Sequence, residues 1–219
     1  MNILITGGSS GLGKKIIETL DDKYNIYSSY NNSLENIKDL EKRFKKITFI
    51  KCDFTNSIEL DQFLKKINLI QFNVLINNFY TGEFLGKHFM KTESIEFINI
   101  LESNIKPTIE ISKTVIKGFK ENKKGLIINI SSKAIESPPI GSSLYVCVKS
   151  FIEGLSRIWN SELNSYGIES KIIKPSFMRT KLTSKIDPRI VKLYFEKNPN
   201  EIQDIANSIK KIIEKENVI

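Results

Sequence analysis

Short apolar runs alternate with longer amphipathic stretches along nearly the whole chain. Ile3-Leu4-Ile5 is followed by a helical pattern over Leu12–Leu20, and Asn25–Tyr30 reads as a second strand. Leu34–Phe44 is helical, Ile47–Cys52 is a third strand, Ile58–Ile67 a helix and Phe72–Ile76 a fourth strand. Thr92–Phe119 reads as one long helix, which Pro107 is expected to kink or split because it lacks the N–H the helix ladder needs. Leu126–Ile130 is a fifth strand, Leu144–Leu163 a long helix, Ile168–Ile173 a sixth strand and Ile202–Ile213 a last helix. This alternation predicts βαβ units in an α/β, Rossmann-like, doubly wound fold. The sheet should be mostly parallel, of six to seven strands, with helices on both faces. The run Leu126-Ile127-Ile128-Asn129-Ile130 is almost wholly apolar, as a strand covered on both faces requires. The least regular segment, 178–200, carries Pro188 and Pro199 and is expected to form a flap over a site.

No repeat, low-complexity tract or linker divides the 219 residues, so a single domain over 1–219 is expected, with the catalytic site inside it. The net charge of +8 would suit a nucleic-acid or acidic membrane partner. The lysines, however, are scattered. The clusters Lys42–Lys46 and Lys120–Lys124 fall near predicted helix ends, where solvated faces explain them. Neither nucleic acid nor membrane is therefore expected as a partner. No apolar run approaches a membrane span, and Met1–Thr6 runs straight into a Gly-rich turn rather than a signal peptide, so the expected location is cytoplasmic. Cys52 and Cys147 lie far apart and are read as reduced. His88 is the only histidine, and no metal site is expected.

The candidate chemistry begins at Thr6-Gly7-Gly8-Ser9-Ser10-Gly11-Leu12-Gly13, between the first strand and the first helix. Glycines there permit unusual backbone angles and a close approach of phosphate, and the helix N-terminus offers free N–H groups and partial positive charge. The spacing TGxxxGxG resembles the short-chain dehydrogenase/reductase family, and the likeness extends over about residues 2–210. It implies NAD(P) binding by Gly7, Ser9, Ser10, Gly11, Leu12 and Gly13. At the end of the second strand, around Tyr30, no Asp or Glu stands before Glu35 to bind a ribose 2′-hydroxyl, and no Arg stands ready for a 2′-phosphate. An acid would repel that phosphate, so NADP(H) is favoured over NAD(H), with hydroxyls of Ser10, Ser29 and Tyr30 and nearby Lys14 as candidate contacts. The resemblance places Asp53 and Phe54 at the adenine, although Asp53 also suits a helix cap or turn. Asn77-Asn78 matches the family's Asn-Asn-Ala-Gly, but Phe79-Tyr80 replaces the small pair. These rings must point away or reshape the wall of the nicotinamide pocket.

Beyond the fifth strand come Ser131-Ser132 and then Tyr145-Val146-Cys147-Val148-Lys149. A carbonyl–alcohol interconversion needs a hydride and a proton, and an unperturbed phenol near pKa 10 is a poor relay. Lys149, four residues from Tyr145, shares its helix face, and its charge is expected to lower the tyrosine pKa. The order Asn104, Ser132, Tyr145, Lys149 matches the family's catalytic tetrad. By that likeness Lys149 also binds the nicotinamide ribose, Ser132 holds the substrate oxygen and Asn104 holds a water. Ser131 remains an alternative hydroxyl, and Asn104 an alternative packing amide. Pro175 and Thr180 match the family's Pro-Gly-x-x-x-Thr at the carboxamide, with Ser176 in place of Gly. Cys147 is read as packing. Phe151, Leu155, Ile158 and Trp159 are read as core or a subunit interface, since relatives commonly pair this helix in a homodimer or homotetramer. The relatives' seventh strand is expected to be truncated or missing.

The reading is thus an NAD(P)(H)-dependent oxidoreductase with Tyr145 as general acid/base and a small carbonyl or alcohol as substrate. The rivals are a catalytically weak nucleotide-binding sensor or scaffold, motivated by Phe79-Tyr80, and a sugar-nucleotide-modifying enzyme. Phe79, Tyr80, Phe84, Phe89 and Phe177 suggest an aromatic-walled substrate pocket.

Overall fold

The first strand, β1 (Asn2–Ile5), has its three apolar side chains completely buried, which is possible only if both faces of the sheet are covered. Ile3 and Ile5 point into one helix layer and Leu4 into the other. Each such side chain contributes roughly 1.5–3 kcal/mol relative to exposure. The computed structural model describes residues 1–189 and 202–216. Its elements after β1 are α1 (Gly11–Leu20), β2 (Asn25–Tyr30), α2 (Leu34–Arg43), β3 (Ile47–Lys51), α3 (Ser57–Ile67) and β4 (Val74–Asn77). Then follow α4 (Ser94–Asn122), β5 (Gly125–Ile130), α5 (Ser143–Leu163), β6 (Ile168–Ile173) and α6 (Ile202–Lys215).

The six strands are all parallel, in the order β3-β2-β1-β4-β5-β6. The expected α/β doubly wound sheet is therefore present, with six strands among the described residues. The chain runs outward from β1 to β3, then crosses back to place β4 on the other side of β1. That reversal opens a crevice above the strand ends, where such folds bind ligands. One helix layer holds α1, α2 and α6. Leu12, Ile16, Ile17 and Leu20 of α1 meet Ile205, Ala206, Ile209 and Ile213 of α6 in one core. The other layer holds α3, α4 and α5, with Phe63 and Phe119 among its fully buried side chains.

Pro107 does not divide α4, which runs as one element from Ser94 to Asn122. The expected flap over 178–200 is described only to residue 189. It begins with a short 3-10 turn, Lys181–Thr183, and its remainder lies outside the described residues.

The face of the sheet beneath α4 and α5 carries a polar ladder where a purely apolar one was possible. Asn77 and Asn129 are register partners on β4 and β5. Asn77 Nδ2 donates to Asn129 Oδ1 at 2.9 Å and to Ser112 Oγ at 3.2 Å. Asn129 Nδ2 donates to Ser170 Oγ at 3.1 Å, which lies 2.6 Å from Ser156 Oγ. Every group has a partner, as a buried network must to avoid a desolvation penalty. Among the described residues no buried side-chain polar atom is left without one.

Candidate active site

The turn between β1 and α1 is held by its neighbours before it holds anything else. Gly7 N–H donates to Ser29 Oγ at 2.8 Å and Gly8 N–H to Ser28 Oγ at 3.0 Å, both from the end of β2. Thr6 Oγ1 accepts from the N–H groups of Asn78 and Phe79, and Asn78 Nδ2 donates to the carbonyls of Thr6 and Gly7, both at 3.0 Å. Gly7 has φ of 70° and Gly11 of 51°, left-handed angles that cost a glycine little. Gly13 lies behind the turn, where a methyl would collide with the Gly7 carbonyl. Helix α1 starts at Ser10 with no side-chain cap and no acid in its first turn, so its N–H groups remain open to an anion. A pyrophosphate fits this cradle.

A cleft of about 300 Å³ runs from the turn across the strand ends. Gly7, Ser9, Ser10, Gly11, Leu12, Tyr30, Asp53, Phe54, Tyr145, Lys149 and Thr180 all line it, as do Ser29 and Asn78. Among the described residues Asp53 is the lining acid, with Lys149 and Lys181 as the lining cations. Asp53 closes a turn, accepting from Thr55 N at 2.9 Å and Thr55 Oγ1 at 2.7 Å, and these bonds hold its carboxyl below the usual range. The cap of α3 is Asn56 instead. Lys14 does not line the cleft; its ammonium lies 3.3 Å from both Asn36 Oδ1 and Asp39 Oδ2.

Besides Gly13, three of the sequence-selected residues stand behind the cleft wall. Asn77 belongs to the buried ladder, and it is Asn78 that faces the opening. Pro175 accepts a hydrogen bond from Lys133 N at 2.9 Å. Asn104 Oδ1 accepts from Thr81 N, and its Nδ2 donates to Thr81 O and Ile100 O, all at 2.8 Å. These bonds fix the chain just after Tyr80.

Helix α5 brings the reacting groups together. Its buried stripe is Tyr145, Val148, Lys149, Ile152, Glu153 and Ser156, spaced to face the sheet. Lys149 is 3% exposed, and its Nζ donates to the Ile130 carbonyl at 2.8 Å. Burial pulls its pKa down to about 8. Tyr145 is also buried, and burial raises its pKa, while a hydrogen bond with Ser132 works the other way. Burial of the phenol thus sets a direction opposite to the one expected from Lys149, whose ammonium is directed to a carbonyl and stands 5.7 Å from the centre of the Tyr145 ring. Ser132 Oγ accepts from Ala134 N at 3.1 Å, whereas Ser131 Oγ donates to Glu153 at 2.7 Å. Of the two serines, Ser132 is the one beside the phenol.

Phe79 and Tyr80 both border the cleft but pack against different neighbours. Phe79 turns toward the α3 side and meets Phe54 edge-on at 4.7 Å. Tyr80 stays in the cleft and packs edge-on against Tyr145 at 5.0 Å. A second pocket, of about 250 Å³, opens beyond Tyr145 and is lined by Phe84, Ser132, Ala134, Phe177, Met178 and Leu182, among others. Tyr145, Met178, Thr180 and Leu182 border both cavities. Of the aromatic wall expected from sequence, Phe89 lies apart, exposed and paired with Phe97 at 5.9 Å.

Sequence reasoning missed Glu153, whose carboxylate holds Ser131, Arg157 at 3.4 Å and Lys174 at 3.1 Å. Its signal was available: an acid four residues after Lys149 sits on the same core-facing stripe. Cys147 is a correction, since it faces solvent rather than packing. Phe151, Leu155 and Trp159 are half-buried and Ile158 is exposed.

The short chain dehydrogenase family pattern matches residues 1–190. The 3-oxoacyl-[acyl-carrier-protein] reductase FabG of Buchnera aphidicola is 28% identical over 213 residues, covering 95% of this chain and 86% of that protein. The 17-beta-hydroxysteroid dehydrogenase type 3 of Mus musculus is 26% identical over 196 residues, covering 86% of this chain but 64% of its own length. A solved structure described as ElxO with NADP bound superposes with a TM-score of 0.83 at 25% identity, covering 100% of this chain and 93% of that one. The glycine turn, the parallel sheet and this match over most of the chain agree: the protein belongs to the short-chain dehydrogenase/reductase family of oxidoreductases.

Proposed function

We propose that the protein interconverts a small carbonyl compound and its alcohol, with Tyr145 as general acid/base and NADP(H) preferred to NAD(H). The observation that carries this reading is the position of Tyr145, which borders both the cleft behind the glycine turn and the pocket beyond it. A donor in the first cavity and an acceptor in the second would meet at its hydroxyl. When bound, the nicotinamide supplies or accepts the hydride. Ser132, already hydrogen-bonded to Tyr145, would orient the substrate oxygen. Tyr145 would pass its proton to that oxygen, or take one from it, and the Lys149 charge beside the ring favours the resulting phenolate. Asn104 completes the set by fixing Thr81 next to Tyr80. Gly7, Ser9, Ser10, Gly11, Leu12 and Gly13 would take the pyrophosphate, with Tyr30, Asp53 and Phe54 toward the adenosine and Thr180 toward the carboxamide.

The preference for NADP(H) is supported by the end of β2 and the segment after it, whose lining residues Tyr30, Asn31, Asn32 and Ser33 are all uncharged. The apolar outer face of α4, with Ile98, Leu101, Ile105 and Ile109, suits a homo-oligomer. The two free thiols suit a reducing compartment such as the cytoplasm.

Oxidation of NADPH and NADH is to be followed over a carbonyl panel, and then repeated with Tyr145→Phe on whichever substrate turns over. A loss of about 100-fold or more in kcat is expected. Full turnover by the variant would overturn the assignment. Tight coenzyme binding without turnover on any carbonyl would favour the sensor reading instead.

A further inference from the structure

The residues at 79–80 are both aromatic, and the two rings have different surroundings. Phe79 is accounted for by the core. Tyr80 packs instead against Phe84, Ala134 and Tyr145 on the other side of the cleft, beside Lys149, whose Nζ lies 5.7 Å from the Tyr80 ring centre and 5.7 Å from that of Tyr145. The two rings meet at 5.0 Å with an interplanar angle of 82°. Tyr80 is itself held, since its hydroxyl donates to the Glu83 carbonyl at 3.1 Å and the next residue is clamped by Asn104.

We propose that Tyr80 is a positioning residue, its ring joining that of Tyr145 in an aromatic cage that keeps the buried Lys149 ammonium charged and in place. The ammonium needs such help. An ammonium carries three donors, and the hydrogen bond that anchors this one goes to the Ile130 carbonyl. No ion pair reaches it among the described residues, and burial is the cause of its lowered pKa. The groups facing it are Tyr145 from its own helix, Tyr80 from the β4 exit and Ile130–Ser131 from β5. Lys181, from the segment after β6, lines the same cleft. The Glu153 carboxylate, one turn further along α5, is turned to Ser131, Arg157 and Lys174. Ring faces within about 6 Å are the remaining source of negative potential, and a desolvated site strengthens them. A small residue at 80 would leave one side of the cage open. The reading rests on the catalytic role proposed for Lys149, but the charge itself can be measured without turnover.

The test is an NMR titration of the Lys149 13Cε resonance in lysine-labelled full-length protein with no coenzyme added, the signal assigned by its loss in Lys149→Met. Tyr80→Phe keeps the ring and should keep the wild-type midpoint. Pentafluorophenylalanine at position 80, installed by nonsense suppression, keeps the shape but inverts the ring's charge distribution. It should lower the midpoint by about one pH unit. Tyr80→Leu should lower it as well, with a smaller shift where water enters the vacated space. An unchanged midpoint with the fluorinated ring overturns the proposal, whatever Tyr80→Leu does. If Tyr145→Phe retains full turnover, the catalytic assignment fails while the titration still decides the cage.

Discussion

Replacing Lys149 with methionine should stabilise the protein at neutral pH while removing the group proposed for catalysis. The lysine pKa falls from 10.5 to about 8 because the ammonium is buried. At about 1.4 kcal/mol per unit, the folded state carries roughly 3 kcal/mol of unfavourable charge burial. The sign follows from proton counting. Below pH 8 both folded and unfolded chains hold the proton, so the whole cost is present. Between pH 8 and 10.5 the folded chain releases it first, the unfolded chain binds more protons, and stability rises with pH. Above 10.5 the cost is gone. Methionine has similar length and no charge, so it removes the cost at every pH. It also deprives the Ile130 carbonyl of its donor at 2.8 Å, a loss of about 1–2 kcal/mol. The net gain at pH 7 is roughly 1–2 kcal/mol, or a Tm higher by roughly 2–8 °C for a chain of this size.

Differential scanning calorimetry of both proteins from pH 7 to 10.5 checks this. The other lysines titrate equally in both, so the difference isolates position 149. The advantage of Lys149→Met should shrink as the pH rises and reverse near the top of the range, where the lost hydrogen bond alone remains. A variant less stable than wild type at pH 7, with a gap that does not change with pH, would refute the burial argument.

Two further outcomes follow from packing. A methyl at Gly13 would meet the Gly7 carbonyl, Gly8 Cα at 2.7 Å and Asn78 Nδ2 at 2.8 Å, so Gly13→Ala must displace the turn itself. Overpacking of this kind costs about 1–3 kcal/mol and should lower Tm by roughly 2–12 °C. NADPH titrated by fluorescence should bind weakly to the variant, and a wild-type melt with wild-type binding would rule the close contact out. Cys147 is exposed, whereas Cys52 is buried with its thiol pushed up to about 12 by burial. A thiol reagent at pH 8 should therefore label one cysteine in the native protein and two in denaturant; rapid labelling of both in native protein would contradict the buried position.

The strands were legible because a strand buried on both faces has few ways to be written: Ile3-Leu4-Ile5 and Leu126–Ile130 admit no competing pattern. The glycine turn was legible because its glycines answer steric demands that no other residue meets. Asn77 and Asn78 were not separable. Adjacent strand residues point to opposite faces, and which asparagine faces the cleft depends on register, which a pair of identical letters does not reveal. Of the kink or split expected at Pro107, the split does not occur, because propensity speaks only of local cost, while the packing of a 29-residue helix against α3 and α5 overrides it. The direction of the Tyr145 pKa was missed for a similar reason. Spacing placed Lys149 on the right face, but the burial of the phenol and the pull of the Ile130 carbonyl are properties of the assembled core.

The buried stripe of α5 shows how the fold sets chemistry against stability. Lys149, Glu153 and Ser156 occupy three consecutive turns of a face that ordinarily carries leucines. Ser156 is satisfied by a hydroxyl on β6 and Glu153 by two cations and Ser131, so neither holds an unmet demand. Only Lys149 is left with one carbonyl and two ring faces. That shortfall lowers its pKa to about 8, and in the proposed reaction a charge beside a phenol could then respond to proton transfer. A full ion pair at the same place would be more comfortable and would pin the charge beyond the reach of the reaction. The aromatic residue at position 80 fits that intermediate regime because a ring supports the charge without offering a base to take its proton.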